Sequence, residues 1–391
     1  MKRCELPYAS WGFRELRAAI AALASGQSRH GPAIGQLENQ LGERLGGSRV
    51  LAVDSGRSAL KIGLEALAGR RPERREVIVP AYICPAVVNA VKSAGLRPIP
   101  ADVSHDLNLR LDSARERIGD RTLAIIVAHM YGAPADIAGF ESLAKEAGIF
   151  LVDDAAQVVG ETLSGRALGT FGDFGVLSFA QSKCLVTGES GGGGALICRN
   201  GDLFPELSSR VGALDPADAR GKALIAFVWN YLLTPYTDKA TYYWRRLRPA
   251  TPHTTGPARI ANLDAKTALC QLASLNNRRS ARLVVLDGYA RQLETQHLAL
   301  PQYAPDRYLA RVMVRLPPGT DIESCRQYLR RRAVTTRPAY PPFLDETGSS
   351  AYAREIAPRL LELPAAASMT GADITRVCEH LGEAMRRSAF D

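Results

Sequence analysis

Nothing in the 391 residues approaches the uninterrupted apolar length that a bilayer crossing requires. The opening MKRCELPYASWG has no apolar core of the kind a signal peptide carries, so a cytoplasmic protein with no membrane partner is expected. Cysteine pairs are missing as well. The seven cysteines, Cys4, Cys84, Cys184, Cys198, Cys270, Cys325 and Cys378, are odd in number, scattered, and never spaced as Cys-x-x-Cys. That fits a reducing compartment and argues against a disulfide framework or a zinc site, and no metal is expected. A long basic run is also absent. The net charge of +9 is spread along the chain, with only short clusters within Arg70 to Arg75 and Arg330 to Arg332, so no nucleic-acid partner is expected. A diffuse positive surface instead helps an anionic substrate approach. No repeat or low-complexity segment occurs.

Apolar material is plentiful, at 46% of the residues, enough for a large core in two domains. Phe13, Leu16, Ile20 and Leu23 recur at helical spacing before Gly26, and a second helix is expected over Ile34 to Leu45. From Val50, short runs of Val, Ile and Leu alternate with helical segments: Val50 to Val53 then Ser58 to Leu67, Val77 to Val79 then Pro85 to Ala94, Leu96 to Ile99, Leu123 to Val127 then Ile137 to Ala147, and Ile149 to Val152. This predicts an α/β fold with a mostly parallel central sheet flanked by helices. Aromatic residues concentrate between Ala223 and Leu247, Trp229 and Trp244 among them, and read as helix packing or a subunit contact. The C-terminal part offers a strand, Val312 to Leu316, helical segments and the loop Arg337 to Phe343. Residues 1–245 are assigned to the large domain, and 246–391 to linking helices and a smaller C-terminal α/β domain.

The stretch from Phe150 to Gly194 carries the chemistry. An apolar run ends in Asp153 and Asp154, followed by Ala155, Ala156 and Gln157; a second run, Gly175 to Phe179, leads to Lys183 beside a glycine-rich turn. A carboxylate that keeps a pyridine ring protonated and a lysine that holds an aldehyde are what pyridoxal 5'-phosphate requires. By the period of two along a strand, Asp153 points away from Asp154 and reads as structural. Asp54-Ser55-Gly56-Arg57-Ser58 follows a strand and opens a helix, so the amides of Gly56, Arg57 and Ser58 can cradle a phosphate at the positive helix end, although capping alone explains Ser55.

Asp154 to Gln157, read with Gly172 to Lys183 as Gly-Asp-x-Gly-x-x-Ser-Phe-x-x-x-Lys, resembles the signature of the DegT/DnrJ/EryC1/StrS family of fold type I pyridoxal phosphate aminotransferases. The resemblance spans most of the chain and is strongest from 50 to 195. It implies Lys183 and Asp154 as the catalytic residues, with Asp154 on the ring nitrogen. It further implies Gln157 against the ring, Ser178 donating to the phosphate, and Gly56, Arg57 and Ser58 in the phosphate slot, where Arg57 replaces a threonine. Cys84 stands where the family sets an aromatic over the open ring face. Tyr82 or His129 are alternatives there, and His129 reads equally well as a satisfied core histidine. The family's Gly-x-Asn-x-Arg element is not legible in Gly256-Pro257-Ala258-Arg259-Ile260, which points to an acceptor other than a standard nucleotide-linked hexose. Arg337 and Tyr340 occupy the substrate-side loop, or belong to an ordinary proline-rich surface loop. Asp173-Phe174-Gly175 spells a kinase motif without its companions, and Gly191 to Gly194 lacks the context of a dinucleotide site.

The expected activity is therefore transfer of an amino group from an amino-acid donor, glutamate or glutamine, to a ketone of a sugar-like or other biosynthetic intermediate. The partners are small molecules and a second copy of the chain in a homodimer. Two alternatives stand beside it: another pyridoxal phosphate reaction, dehydration or carbon–carbon bond chemistry on a non-sugar substrate, and a non-catalytic regulator that keeps the fold.

Overall fold

Side chains that alternate between two apolar faces organise the large unit. The computed structural model describes Cys4, Leu6 and residues 12–180, 182–187, 192–219, 256–344 and 350–388. Nine strands fall in its first half: β1 (Arg49–Val53), β2 (Glu76–Pro80), β3 (Arg97–Ala101), β4 (Thr122–Ala128), β5 (Phe150–Asp154), the short pair β6 (Thr162–Leu163) and β7 (Arg166–Ala167), β8 (Phe174–Ser178) and β9 (Gly194–Cys198). Seven of them make one sheet in the order β1-β9-β8-β5-β4-β2-β3. The pairs β2 with β3, β2 with β4, β4 with β5 and β5 with β8 are parallel, while β9 runs antiparallel to both its neighbours. Every residue of β4 is buried, as a central strand covered on both faces requires.

Ala52, Ile78, Ile125, Val127, Leu151, Leu177 and Ile197 pack on one face, and Leu51, Val53, Val77, Val79, Ile126, Val152, Val176 and Leu196 on the other. On the first face lie α2 (Ala33–Arg44) and α6 (Ile137–Ala147), through Leu37, Leu41, Phe140 and Leu143. On the second lie α3 (Gly56–Arg70), α4 (Pro85–Ser93) and α7 (Phe204–Gly212), through Leu60, Leu64, Val88 and Leu207. A Cβ at Gly63 of α3 would stand 2.3 Å from the Phe174 ring, so only glycine lets this helix lie so close to β8. The short α5 (Leu111–Arg115) follows β3.

A second, antiparallel sheet in the order β10-β12-β11 is built from β10 (Val312–Arg315), β11 (Arg337–Pro338) and β12 (Leu360–Leu363). Three helices pack against it: α9 (Leu275–Glu294), α10 (Ile322–Arg331) and α12 (Gly371–Ser388), with α8 (Asn262–Ala273) leading into α9. Tyr289 of α9 donates its buried hydroxyl to the Pro364 carbonyl at 2.6 Å. The two units share a contact in which Tyr82, Val103, Met130 and Tyr131 meet Met313, Ile356 and Leu360. Both carboxylate oxygens of Asp102 accept from first-turn amides of α11 (Ala351–Ile356), Tyr352 at 3.0 Å and Ala353 at 2.9 Å. The expected boundary near residue 245 and the aromatic segment around Trp229 and Trp244 lie outside the described residues. Among the described residues no helix is long and apolar enough to cross a membrane.

Helix α1 (Phe13–Ala24) turns its small side chains inward and its large ones outward. Glu15, Ala19 and Ala22 are buried, whereas Phe13 is 78% exposed and Ile20 55%. The helix is in register with the expected period; its apolar stripe faces away from the chain's own core.

Candidate active site

All parallel strands of the large sheet, with β1, end on one edge, and the sequence-predicted residues collect there, where open α/β sheets bind ligands. Asp153 and Asp154 close β5 and diverge as the strand period demands. Asp153 Oδ2 accepts from Gly169 N–H at 2.7 Å and Phe171 N–H at 3.1 Å, and Oδ1 lies 2.8 Å from His129 Nε2. Asp154 accepts from Ala156 N–H at 3.1 Å. Burial pushes its carboxyl above the ordinary value, against the pull of the nearby Lys183. Burial also pushes the Lys183 ammonium down; Cys84 and Asp154 oppose that shift and Arg311 adds to it. Lys183 is half-buried, hemmed in by protein yet still reachable. A buried acid pushed up beside a buried base pushed down is the combination expected of groups that exchange or hold protons.

Ser55 caps α3, its Oγ accepting from Ser58 N–H at 3.2 Å. The Ser58 amide expected in the cradle is thus already taken, which leaves Gly56 and Arg57 as first-turn amides without an intrahelical acceptor. The Ser58 hydroxyl lies 3.0 Å from Ser55 Oγ. Around Gly56 the chain leaves no room for side chains. A Cβ there would stand 3.0 Å from Ser178 Cβ, and one at Gly194 would stand 2.5 Å from the Gly56 nitrogen. Helix start, Ser178 at the end of β8 and the first residue of β9 are therefore packed close together, and the amides of Gly56 and Arg57 with the Ser178 hydroxyl make a donor set that fits a phosphate. Gln157 adds a second sign of fit: its buried Oε1 has no hydrogen-bond partner, and its Nε2 meets only Met130 Sδ at 3.9 Å.

Cys84 caps α4, half-buried and close enough to Lys183 and Tyr340 to act on both electrostatically. The two alternatives for its place are engaged elsewhere. Tyr82 is fully buried with its hydroxyl 2.7 Å from that of Tyr131, and His129 spends both ring nitrogens on Asp153 and on Ala135 N–H. His129 is the satisfied core histidine. The lysine turn is held from α8, where Gln271 accepts from Val186 N–H and donates to Val186 O, both at 2.7 Å.

One cluster escaped the sequence reading. Arg311 is buried against Glu362 and lies over the Tyr131 and Tyr340 rings, 5.0 Å and 4.8 Å from their centroids. The signal was a charged residue inside each of two apolar runs, Tyr308 to Leu316 and Leu360 to Leu363. Arg337, expected to meet an anion, stands 3.8 Å from the same Glu362 carboxylate. Tyr131 holds a left-handed backbone at φ +55, a strained conformation for an aromatic residue that turns the chain as it leaves β4. Arg259, a candidate for binding a phosphate-bearing substrate, pairs with Glu38 at 3.5 Å.

A mostly parallel sheet that ends on a buried acid, a lysine and an anion cradle, with a smaller sheet alongside, defines a fold type I transferase. The DegT/DnrJ/EryC1/StrS aminotransferase family model matches residues 11–382, and the chain belongs to that family and is a transaminase. Among curated relatives, the GDP-perosamine synthase of Escherichia coli O157:H7 is 26% identical over 365 residues, 91% of each chain. The crystal structure of the aminotransferase TlmJ from Streptoalloteichus hindustanus superposes with a TM-score of 0.77 at 27% identity, covering 98% of this chain and 99% of that one. Helicobacter pylori PseC, an aminotransferase involved in the biosynthesis of pseudoaminic acid, shares the fold at a TM-score of 0.80 and 17% identity, over 99% and 100% of the two chains.

Proposed function

We propose that this chain holds pyridoxal 5'-phosphate on Lys183 and transfers an amino group from glutamate or glutamine to a ketone of a sugar-like intermediate. When bound, the cofactor supplies the electron sink that lets a proton leave the amine-bearing carbon. Lys183 Nζ would hold the cofactor through its aldehyde and, when free, would take up and return the proton that leaves the substrate. Asp154 keeps the proton on the ring nitrogen. The amides of Gly56 and Arg57 with the hydroxyls of Ser58 and Ser178 hold the phosphate, while Cys84 and Gln157 lie against the ring. The observation that carries this reading is the buried Asp154 carboxyl and the Lys183 amine, near enough to act on each other, beside the first-turn amides of α3 and the Ser178 hydroxyl. The family membership set out above weighs against the regulator and the other reaction types.

Support for a sugar-like acceptor comes from the perosamine synthase relative. The illegible Gly-x-Asn-x-Arg element at Gly256 to Ile260 and Cys84 in the aromatic slot favour a ketone that is not a standard nucleotide-linked hexose. The test is direct. Reconstituted protein should absorb in the visible, lose that band with glutamate or glutamine, and regain it with keto-sugars or cyclitol ketones faster than with simple 2-oxo acids. A band inert to every amino donor would end the proposal.

A homodimer completes the reading. Phe13, Ile20 and Leu23 expose a run of large apolar side chains along α1, the kind of surface a second copy covers. Light scattering should give twice the 42.2 kDa chain mass, and Ile20→Glu should push the equilibrium towards single chains. A fully active single-chain species at working concentration would refute the dimer.

A further inference from the structure

We propose that His129 and Asp153 form a positioning pair for Asp154, acting through one fixed tautomer of the imidazole. The inference rests on the function proposed above, because it concerns how the ring-nitrogen acid is held beside Lys183. Its geometry, however, stands on its own.

A backbone amide can only donate. Ala135 N–H reaches His129 Nδ1 at 3.0 Å, so Nδ1 must keep its lone pair. The proton of the neutral ring then sits on Nε2 and is given to Asp153 Oδ1 at 2.8 Å. A second ring proton would have to break the Ala135 bond inside a fully buried region. The two oxygens of Asp153 accept three hydrogen bonds, from His129, Gly169 and Phe171.

These bonds tie together three pieces of chain at the end of β5: the end of β4 with the turn after it, the strand itself, and the 169–171 segment. The His129 backbone adds to them by donating to the Asp154 carbonyl at 3.3 Å. Asp154 is the next residue along, on the opposite face; its carboxyl feels Lys183 and accepts from Ala156 N–H. Whatever loosens the pair moves that carboxylate relative to Lys183. Neither His129 nor Asp153 is placed to touch the cofactor, so both act through Asp154.

The proton arrangement makes the substitutions asymmetric. His129→Gln keeps a donor at the position of Nε2, facing Asp153, and gives up the Nδ1 acceptor. His129→Leu deletes both. Asp153→Asn can still accept from Gly169 and Phe171, but its amide then confronts the Nε2 proton, donor against donor.

The test compares these three variants of the cofactor-loaded protein by the pH titration of the visible band and by the donor half-reaction, with thermal unfolding as a control. For His129→Leu and Asp153→Asn, the titration midpoint should move by about one pH unit or more and the half-reaction slow by about 10- to 100-fold, with donor KM changed less than about threefold. His129→Gln should retain the wild-type midpoint and a rate within about threefold of it. In the wild-type protein without cofactor, nitrogen-15 NMR should show the His129 ring proton on Nε2, with Nδ1 as the acceptor. The proposal is overturned by a folded leucine variant with wild-type midpoint and rate, or by a glutamine variant as impaired as leucine. Should the leucine variant not fold, a wild-type imidazole that carries its proton on Nδ1 overturns it. A wild-type protein that never binds the cofactor would defeat the function proposed above, while the NMR result would still report on the pair.

Discussion

Lys183→Ala is expected to lower amino transfer by at least about 10⁴-fold, because the same nitrogen both holds the cofactor and moves the proton. The visible band of covalently held cofactor should vanish with it. A less obvious consequence concerns stability. Burial lowers the Lys183 pKa from 10.5, so between its folded and unfolded values the unfolded chain binds more protons than the folded one. Wild-type protein without cofactor therefore gains stability as pH rises through that window and carries the full penalty below it. The alanine variant lacks this term. At neutral pH its cofactor-free form should melt at least as high as the wild type, with the difference narrowing as pH approaches 10.5. Calorimetry across that range checks the slope, and turnover within tenfold of wild type would disprove the assignment of Lys183.

Asp154→Asn should bind cofactor and keep the visible band, since Lys183 and the phosphate donors are untouched, yet lose about 10²- to 10⁴-fold in both half-reactions. An amide cannot hold the ring nitrogen in its protonated state. The pH signature is opposite in sign to that of the lysine. Burial raises the Asp154 pKa above 3.8, so the folded protein binds the extra proton, and stability is lost as pH rises from 3.8 through the folded value. The asparagine variant removes this loss and should be the more stable cofactor-free protein above that window. Stopped-flow absorbance measures the half-reactions; unchanged rates would show that another group protonates the ring.

The residues proposed for catalysis, Lys183 and Asp154, could be singled out in the sequence because they close or follow strands whose apolar runs are unmistakable, and because a period of two separates Asp154 from Asp153 without any structure. The parallel part of the large sheet was legible for the same reason: strands buried on both faces read as continuous Val, Ile and Leu. Strand β9 was not, since Gly194 to Cys198 follows a glycine-rich turn and its antiparallel pairing with β1 and β8 is a tertiary fact. The same holds for Arg311 and Glu362. Each looks like a lone charge in an apolar run, and only the register of β10 with β12 explains why a pair can be buried there. His129 could not be decided from the sequence because its partners are a carboxylate from the neighbouring strand and a backbone amide. The helix start proposed for the phosphate could be located in the sequence but not detailed, for nothing in Ser55-Gly56-Arg57-Ser58 says that one serine will consume the amide of the other.

The late arrival of β9 sets a schedule for biosynthesis. The register pairs Arg49 with Cys198, so β1 waits for a partner on the order of 150 residues downstream, an interval of roughly 10 to 30 s at ordinary rates of translation. Until then the nascent sheet has an open slot between β1 and β8, and Gly194 has not packed against Gly56. Such long-range closure is slow, and an unfilled edge invites pairing with other chains. Chaperones that shield this slot, and cofactor supplied only after residue 198 has emerged, would therefore govern the yield of active protein more than any local preference of the first 180 residues.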